Sequence, residues 1–186
     1  MNRFLISLYI LLLTVSTDVF SADVNKNINA DAPEKVLVVY YSRTGNTQLV
    51  AEIIALALKA EVRRIEEVKE RKGFISAYLF GGYSAIREKC SDIKPMDFNL
   101  EGYDLIFLGS PVWALKPVPA VNAFVSKANF KNKKVVLFFT MGGTNYQKAA
   151  DILTKIIEEK GGIVKSSFGI QSGKKEKMSE STRKAL

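Results

Sequence analysis

The chain has 186 residues, of which 47% are hydrophobic and 25% are charged, and its formal net charge is +8. These values are ordinary for a single soluble domain, and the positive charge favours an acidic protein, an anionic membrane face or a nucleic acid as a partner. Histidine is absent, which excludes imidazole as a base or a metal ligand. The single cysteine, Cys90, excludes an intramolecular disulfide and a cysteine-based metal site.

The first 21 residues have the layout of a secretory signal peptide. A positive start precedes the apolar run Phe4–Val15, and a cleavage site is predicted before Ala22. That run is short for a membrane-spanning helix, which needs about 20 residues. We therefore expect an exported protein, periplasmic or secreted, with residues 22–34 as a linker and residues 35–186 as the folded domain. The alternative is that residues 1–21 stay attached and anchor the chain, and membrane contact is expected only in that case.

Five strand-like segments alternate with amphipathic segments along the remaining chain. Continuous β-branched runs suit strands that are buried on both faces, so we predict a parallel sheet covered by helices. The predicted strands are Val36–Tyr41, Glu61–Val68, Asp104–Gly109, Lys134–Thr140 and Ile163–Ile170, and the predicted helices are Asn46–Ala60, Ile75–Lys89, Val118–Ala128, Tyr146–Glu159 and Glu176–Leu186. In such an α/β fold, ligands bind beyond the carboxyl ends of the strands.

The turn after the first strand predicts a phosphate site. Residues 42–47, Ser-Arg-Thr-Gly-Asn-Thr, lead into a helix whose first backbone N–H groups are unpaired and favour an anion. Gly45 allows a tight turn and a close approach of the ligand, and the Ser and Thr residues add hydroxyl donors. The lysine-containing pattern of a nucleotide P-loop is absent. The alternative is an ordinary helix cap, for which Ser, Thr and Asn are common choices.

Two further turns follow the third and fourth predicted strands. Gly109–Val121 contains three prolines, which would stiffen a loop, and Trp113, whose flat side chain suits an aromatic ligand. The alternative is that Trp113 only packs onto the next helix. Thr140–Ala149 contains two adjacent glycines that permit close backbone approach, and Tyr146 as a possible second aromatic wall. The alternative there is a plain turn that caps the next helix.

Taken together, these segments resemble the flavodoxin family. The stretches VLVVYYSRTGNT, YDLIFLGSPVWALKPVPAVNAF and KKVVLFFTMGG occur in the family's order, and the resemblance covers about residues 35–186. It implies a three-layer α/β sandwich with a five-stranded parallel sheet in the order 2-1-3-4-5, and non-covalent FMN as cofactor. It also implies which residues bind FMN: Ser42, Arg43, Thr44, Gly45, Asn46 and Thr47 around the phosphate, Pro111, Val112, Trp113 and Ala114 along the isoalloxazine ring, and Met141, Gly142 and Gly143 on its other side.

The resemblance implies a function in electron transfer through the bound flavin. Members of the family carry electrons one at a time, and the flavin supplies the redox chemistry, so no catalytic side chain and no metal is expected. Two alternatives stay open: an NAD(P)H-dependent FMN quinone reductase, and a flavodoxin-like binding module that has lost FMN. Leu115 favours the second, because it stands where many relatives have glycine.

The implied partner is a redox protein, and the positive charge favours an acidic one. Nucleic acid is not expected, because no RNA- or DNA-binding motif accompanies the charge. The segment Lys69–Lys89 mixes basic and aromatic residues and is predicted as a sheet-covering helix with a basic face. The alternative interpretation of this segment is a surface that contacts a membrane, a quinone or an acidic redox partner. A basic adaptor tethered to a membrane by residues 1–21 is a further alternative.

Overall fold

The computed structural model describes residues 35–68 and 90–186. The signal peptide and linker predicted for residues 1–34, and the helix predicted at Ile75–Lys89, lie outside the described residues. Within the described ranges, no helix combines the length and the apolar character needed to cross a lipid bilayer.

Six strands form the described sheet, and helices cover it on both faces. The strands are β1 (Val36–Tyr41), β2 (Glu61–Ile65), β3 (Leu105–Trp113), β4 (Lys116–Pro117), β5 (Lys134–Met141) and β6 (Ile163–Gln171), and the helices are α1 (Asn46–Leu58), α2 (Pro119–Lys127), α3 (Gln147–Glu159) and α4 (Lys175–Ala185). Five strands run parallel in the order β2-β1-β3-β5-β6, and β4 pairs with β3 alone and antiparallel. When only the five parallel strands are numbered, β5 and β6 become the fourth and fifth, and the order is the predicted 2-1-3-4-5. The fold class is therefore confirmed, and β4 is an additional strand.

Strand β1 lies between β2 and β3 in the sheet and has all six residues buried. Its side chains alternate between two hydrophobic cores, because successive residues of a strand point to opposite faces of a sheet. Leu37, Val39 and Tyr41 pack in the core beneath α2 and α3, whereas Val36, Val38 and Tyr40 pack in the core beneath α1 and α4. The apolar run in the sequence is therefore continuous because both faces of this strand are covered.

Gly109 allows β3 to pass beneath a phenylalanine ring. It pairs with Phe138 of β5, which is fully buried. A methyl group added at Gly109 would overlap the Phe138 ring. Glycine in a strand interior often marks such a close approach.

Strand β2 is shorter than predicted, since it ends at Ile65 and not at Val68. The pairing with β1 stops where Tyr41 meets Ile65. The backbone beyond turns instead to residues 92–94: Glu67 forms an isolated antiparallel bridge with Ile93. The residues after β2 are thus held, but by a different partner.

A polar network joins β2 to the chain before β3, at the amino-terminal end of the parallel strands. The Tyr103 hydroxyl donates to the Glu61 carboxylate, and Arg63 Nη2 donates to the Tyr103 hydroxyl at 3.0 Å. Burial raises the pKa of Tyr103, and the bond to Glu61 raises it further. The same bond lowers the pKa of Glu61. This network lies at the end of the sheet opposite to the candidate site.

Candidate functional site

The turn between β1 and α1 leaves the start of the helix open. Gly45 is the N-cap residue with φ 88°, in the left-handed region that favours glycine, and within residues 35–68 and 90–186 no side chain caps α1. Apart from its chain neighbours, no atom of the described residues would lie within 4 Å of a methyl group added at Gly45. The first N–H groups of α1 therefore lack a side-chain cap, and the helix dipole makes this helix end favourable for an anion. The alternative of a side-chain cap at this turn is wrong.

The three hydroxyls of this turn have different environments. Ser42 and Thr47 are 3% and 1% exposed, whereas Thr44 is exposed. Ser42 Oγ accepts a hydrogen bond of 3.2 Å from the Gly45 N–H and so holds the turn. Thr47 Oγ1 lies 2.8 Å from Oγ1 of Thr140, at the end of β5. Two hydroxyls thus form bonds within the protein, and Thr44 is the one that is exposed.

Two arginines give the turn a positive charge. Arg43 lies on the turn itself and is exposed. Arg64 is on β2, and its Nη2 donates to the Ser42 carbonyl oxygen at 3.2 Å. The parallel register that pairs Tyr40 with Arg64 places this side chain beside the end of β1. Sequence reasoning missed Arg64, although a basic residue near the end of the strand neighbouring β1 was a usable signal.

The segment predicted as a proline-stiffened loop, Gly109–Val121, is mostly a hairpin and the start of a helix. Strand β3 continues to Trp113, because its backbone stays paired with β5 as far as Pro111 and then pairs with β4. Ser110 Oγ accepts a hydrogen bond of 3.2 Å from the Val118 N–H and fixes the returning chain. The prediction of a loop here is wrong, and the predicted ring-facing residues lie on a strand end and its turn.

The hairpin turn consists of two residues in the left-handed region. Trp113 pairs with Lys116, so only Ala114 and Leu115 lie between the strands. Their φ angles are 49° and 63°. Tight two-residue hairpins with both central φ angles positive match the twist of the flanking strands, and they normally use Asn or Gly. Here they are formed by residues that adopt this region only with strain.

Trp113 stands half-buried at the end of β3 with its ring held by a tyrosine. Its ring centroid lies 6.2 Å from that of Tyr41, at an interplanar angle of 88°. This edge-to-face arrangement is favourable for aromatic pairs. Pro111 and Val112 are also partly exposed, and Ala114 is exposed. The predicted ring-facing residues therefore share an accessible edge.

The end of β5 provides a second open backbone segment. Met141 is buried, while Gly142 and Gly143 are exposed. In the part of the chain that the structure describes, a methyl group added at either glycine would lie within 4 Å only of its chain neighbours. Tyr146 does not extend this edge as an aromatic wall. Its ring stacks on Phe139 with centroids 5.6 Å apart, at the face of the sheet.

The three segments meet because β1, β3 and β5 are neighbours in the sheet. The Thr47–Thr140 and Tyr41–Trp113 contacts link them. The thirteen predicted site residues all lie at this edge, with an open, positively charged helix start in one part and a half-buried indole in another. These features fit a ligand that combines a phosphate with a planar ring, as FMN does.

Comparisons with known proteins agree with this architecture. A family model described as Flavodoxin matches residues 35–167. The flavodoxin-like domain-containing protein BilS of Clostridioides difficile (strain CD3) is 29% identical over 123 residues, which cover 66% of this chain and 56% of that protein. The chain thus matches little more than half the length of this relative.

Two solved structures show the same fold. One is a candidate flavoprotein from Bacteroides uniformis ATCC 8492, with a TM-score of 0.66, 23% identity and coverage of 81% of this chain and 98% of that chain. The other is a flavoprotein in complex with FMN from Lactobacillus acidophilus NCFM, with a TM-score of 0.65, 24% identity and coverage of 73% and 93%. At these identities the likeness extends to the fold alone.

Proposed function

We propose that this chain, which belongs to the flavodoxin family, binds FMN non-covalently and transfers electrons through it. The observation that carries the proposal is the uncapped start of α1 at Gly45, at the same sheet edge as the half-buried Trp113. Bound FMN would supply the redox chemistry, and the protein would supply binding, orientation and charge.

One set of residues is proposed to bind the phosphate of FMN, and another set is proposed to bind its ring. The N–H groups at the start of α1 donate to the phosphate, and the guanidinium groups of Arg43 and Arg64 compensate its charge. Trp113 covers one part of the planar ring, and the exposed backbone of Gly142 and Gly143 permits its close approach from another side. Water is displaced from the ring by these apolar and backbone surfaces.

The first test is whether the purified protein retains flavin. An absorbance spectrum after addition of FMN and desalting should show the bands of oxidised flavin. A protein that retains no FMN would contradict the proposal and leave the flavodoxin-like binding module as the better description.

The second test asks whether the phosphate binds at the predicted turn. Thr44→Asp places a carboxylate on an exposed position of this turn. An aspartate about 5 Å from a phosphate dianion repels it by roughly 1–2 kcal/mol in a water-like dielectric, which is about tenfold in affinity. We expect this loss for FMN and no comparable loss for riboflavin, which has no phosphate.

The matched control is Ser126→Asp, which adds the same charge at an exposed position near the end of α2. This variant should bind FMN as the wild type does. If Thr44→Asp weakens FMN and riboflavin equally, or if both aspartates weaken FMN equally, the turn is not the phosphate site.

Electron transfer is tested by anaerobic reduction of the holoprotein. Two separate one-electron steps in a spectroelectrochemical titration would support a carrier. Steady oxidation of NADH or NADPH by the holoprotein, with a quinone as acceptor and no other protein present, would instead identify the reductase.

The redox partner that we propose is an acidic protein, because the chain carries a formal net charge of +8. Reduced holoprotein should pass electrons to the anion ferricyanide at a rate that falls with ionic strength, since salt screens the attraction. With the cation hexaammineruthenium(III) the rate should rise with ionic strength. Equal salt dependence for both oxidants would show that the net charge does not act at the flavin edge.

Export is a separate proposal that rests on the sequence of residues 1–21. Intact mass measurement of the protein from its native host should give a chain that begins at Ala22. Retention of the first residues would instead support the membrane-anchored form.

A further inference from the structure

A buried tyrosine–glutamate pair adjoins Trp113 through the tyrosine ring. The Tyr41 hydroxyl donates to Glu67 Oε2 at 2.9 Å. Both residues are buried, at 7% and 6% exposure. Burial of a carboxylate is unfavourable unless hydrogen bonds replace its water, so this bond is well placed to determine where both side chains lie. Neither residue belongs to the predicted phosphate-binding or ring-facing sets.

The backbone around Glu67 is itself held firmly. Glu67 forms its bridge with Ile93, which is 7% exposed and belongs to the core. On either side, the Val68 N–H donates to the Asp92 carbonyl at 2.9 Å, and the Lys94 N–H donates to the Glu66 carbonyl at 2.8 Å. The carboxylate therefore projects from an isolated antiparallel bridge and gives Tyr41 a fixed acceptor.

The Tyr41 ring passes this constraint to Trp113. Tyr41 is the last residue of β1, and Trp113 is the last residue of β3. The two rings pack edge to face with their centroids 6.2 Å apart, and the half-buried indole has the tyrosine along one side. A change in the orientation of the Tyr41 ring would change the surface on which the indole rests.

We propose that Tyr41 and Glu67 are positioning residues that pre-set the Trp113 indole for the flavin ring. Glu67 holds the Tyr41 hydroxyl, and the Tyr41 ring holds the indole, so the ring-facing wall exists before the ligand binds. Preorganisation of this kind raises affinity because less conformational freedom is lost on binding. The proposal rests on the proposed FMN binding, but its first consequence concerns the apoprotein.

Trp113 is the only tryptophan of the chain, so its fluorescence reports this position alone. In the apoprotein, Tyr41→Phe should shift the Trp113 emission to longer wavelength and increase its quenching by acrylamide. Glu67→Leu should act in the same way, whereas Glu67→Gln, which keeps an acceptor oxygen, should stay close to the wild type. Unchanged emission and quenching in both Tyr41→Phe and Glu67→Leu would overturn the proposal.

Tyr103→Phe is the matched control. Tyr103 is also buried, and its hydroxyl also donates to a glutamate, but it lies at the other end of the sheet. This variant should lose stability without changing the Trp113 emission. If Tyr103→Phe shifts the emission as much as Tyr41→Phe does, the effect is general loosening, and the assigned role is wrong.

A double-mutant cycle then tests the connection to FMN. Tyr41→Phe should weaken FMN binding roughly three- to tenfold, the usual effect of one buried hydrogen bond. In a Trp113→Phe background the same substitution should have little further effect, because the residue through which Tyr41 acts is gone. Independent, additive losses would show that Tyr41 does not act through Trp113. If no variant and no wild-type protein binds FMN, the proposed function fails, while the apoprotein fluorescence still tests the positioning.

Discussion

Glycine at position 115 should make the apoprotein more stable than alanine at the same position, although glycine has no side chain. Leu115 has φ 63° in the two-residue turn between β3 and β4. For residues other than glycine the left-handed region costs roughly 1–2 kcal/mol. Glycine removes that strain but adds about 0.4–1 kcal/mol of entropy to the unfolded chain. The expected net gain is about 0.5–1 kcal/mol, measured against alanine at the same position.

Alanine is the proper reference because Leu115 is 49% exposed, so part of its side chain makes contacts that both variants lose. Leu115→Ala measures that loss, and the difference between Leu115→Gly and Leu115→Ala isolates the backbone strain. For a protein of this size, 1 kcal/mol shifts the melting temperature by about 2–4 °C, so Leu115→Gly should melt roughly 1–4 °C above Leu115→Ala. Thermal unfolding followed by circular dichroism measures this difference directly.

Ala57→Gly provides a control of opposite sign. Ala57 is exposed in α1, where glycine is less favourable than alanine by roughly 0.5–1 kcal/mol. If glycine at position 115 lowers the stability relative to alanine by a similar amount, the turn is not strained at this residue, and the reasoning is refuted.

Three further substitutions test other contacts of the fold. Thr140→Val leaves the buried Thr47 hydroxyl without this partner and should cost about 1–3 kcal/mol in urea unfolding; an unchanged midpoint would mean that the hydroxyl pair adds no stability. Gly169→Ala places a methyl group against the Tyr146 ring and should cost about 1–3 kcal/mol with a changed near-UV dichroism spectrum, whereas a wild-type spectrum and melt would show that the ring moves freely. Burial raises the folded-state pKa of Tyr103 above its ordinary value of 10.0, so its stabilising effect is present below pH 10 and is lost as the pH rises through the folded-state pKa. Urea unfolding between pH 8 and 11 should therefore show the wild type losing its advantage over Tyr103→Phe above pH 10, and parallel curves would contradict this.

The sheet could be predicted well because burial on both faces leaves a clear signal. A strand such as β1 must be apolar at every position, and the alternation of such runs with amphipathic segments determines parallel connections. The extension of β3 as far as Trp113 left no such signal. Its pairing beyond Pro111 depends on β4, a strand of two residues that contains proline. Strand β4 is too short to show a periodic pattern in the sequence, so its pairing with β3 is visible only in the folded structure.

The sequence predicted where the candidate site lies, but it did not predict which of its residues are buried in bonds within the protein and which are exposed. Ser42, Thr44 and Thr47 carry similar hydroxyls, yet two of them are buried in bonds within the protein and one is exposed. Sequence cannot separate these cases, because the same residue types suit both. Arg64 and Tyr41 reach the site through strand register and side-chain direction, which are properties of the assembled sheet.

The close approach of Gly109 to Phe138 has a consequence for how this sequence can change over time. The two residues are paired across neighbouring strands, and the ring of one occupies the volume that a side chain on the other would need. A larger residue at position 109 is tolerable only if position 138 is already small, and a smaller residue at position 138 alone would leave a cavity in the core. Relatives should therefore vary at these two positions together, and a survey of their sequences would find either the glycine with a large partner or a side chain with a small one.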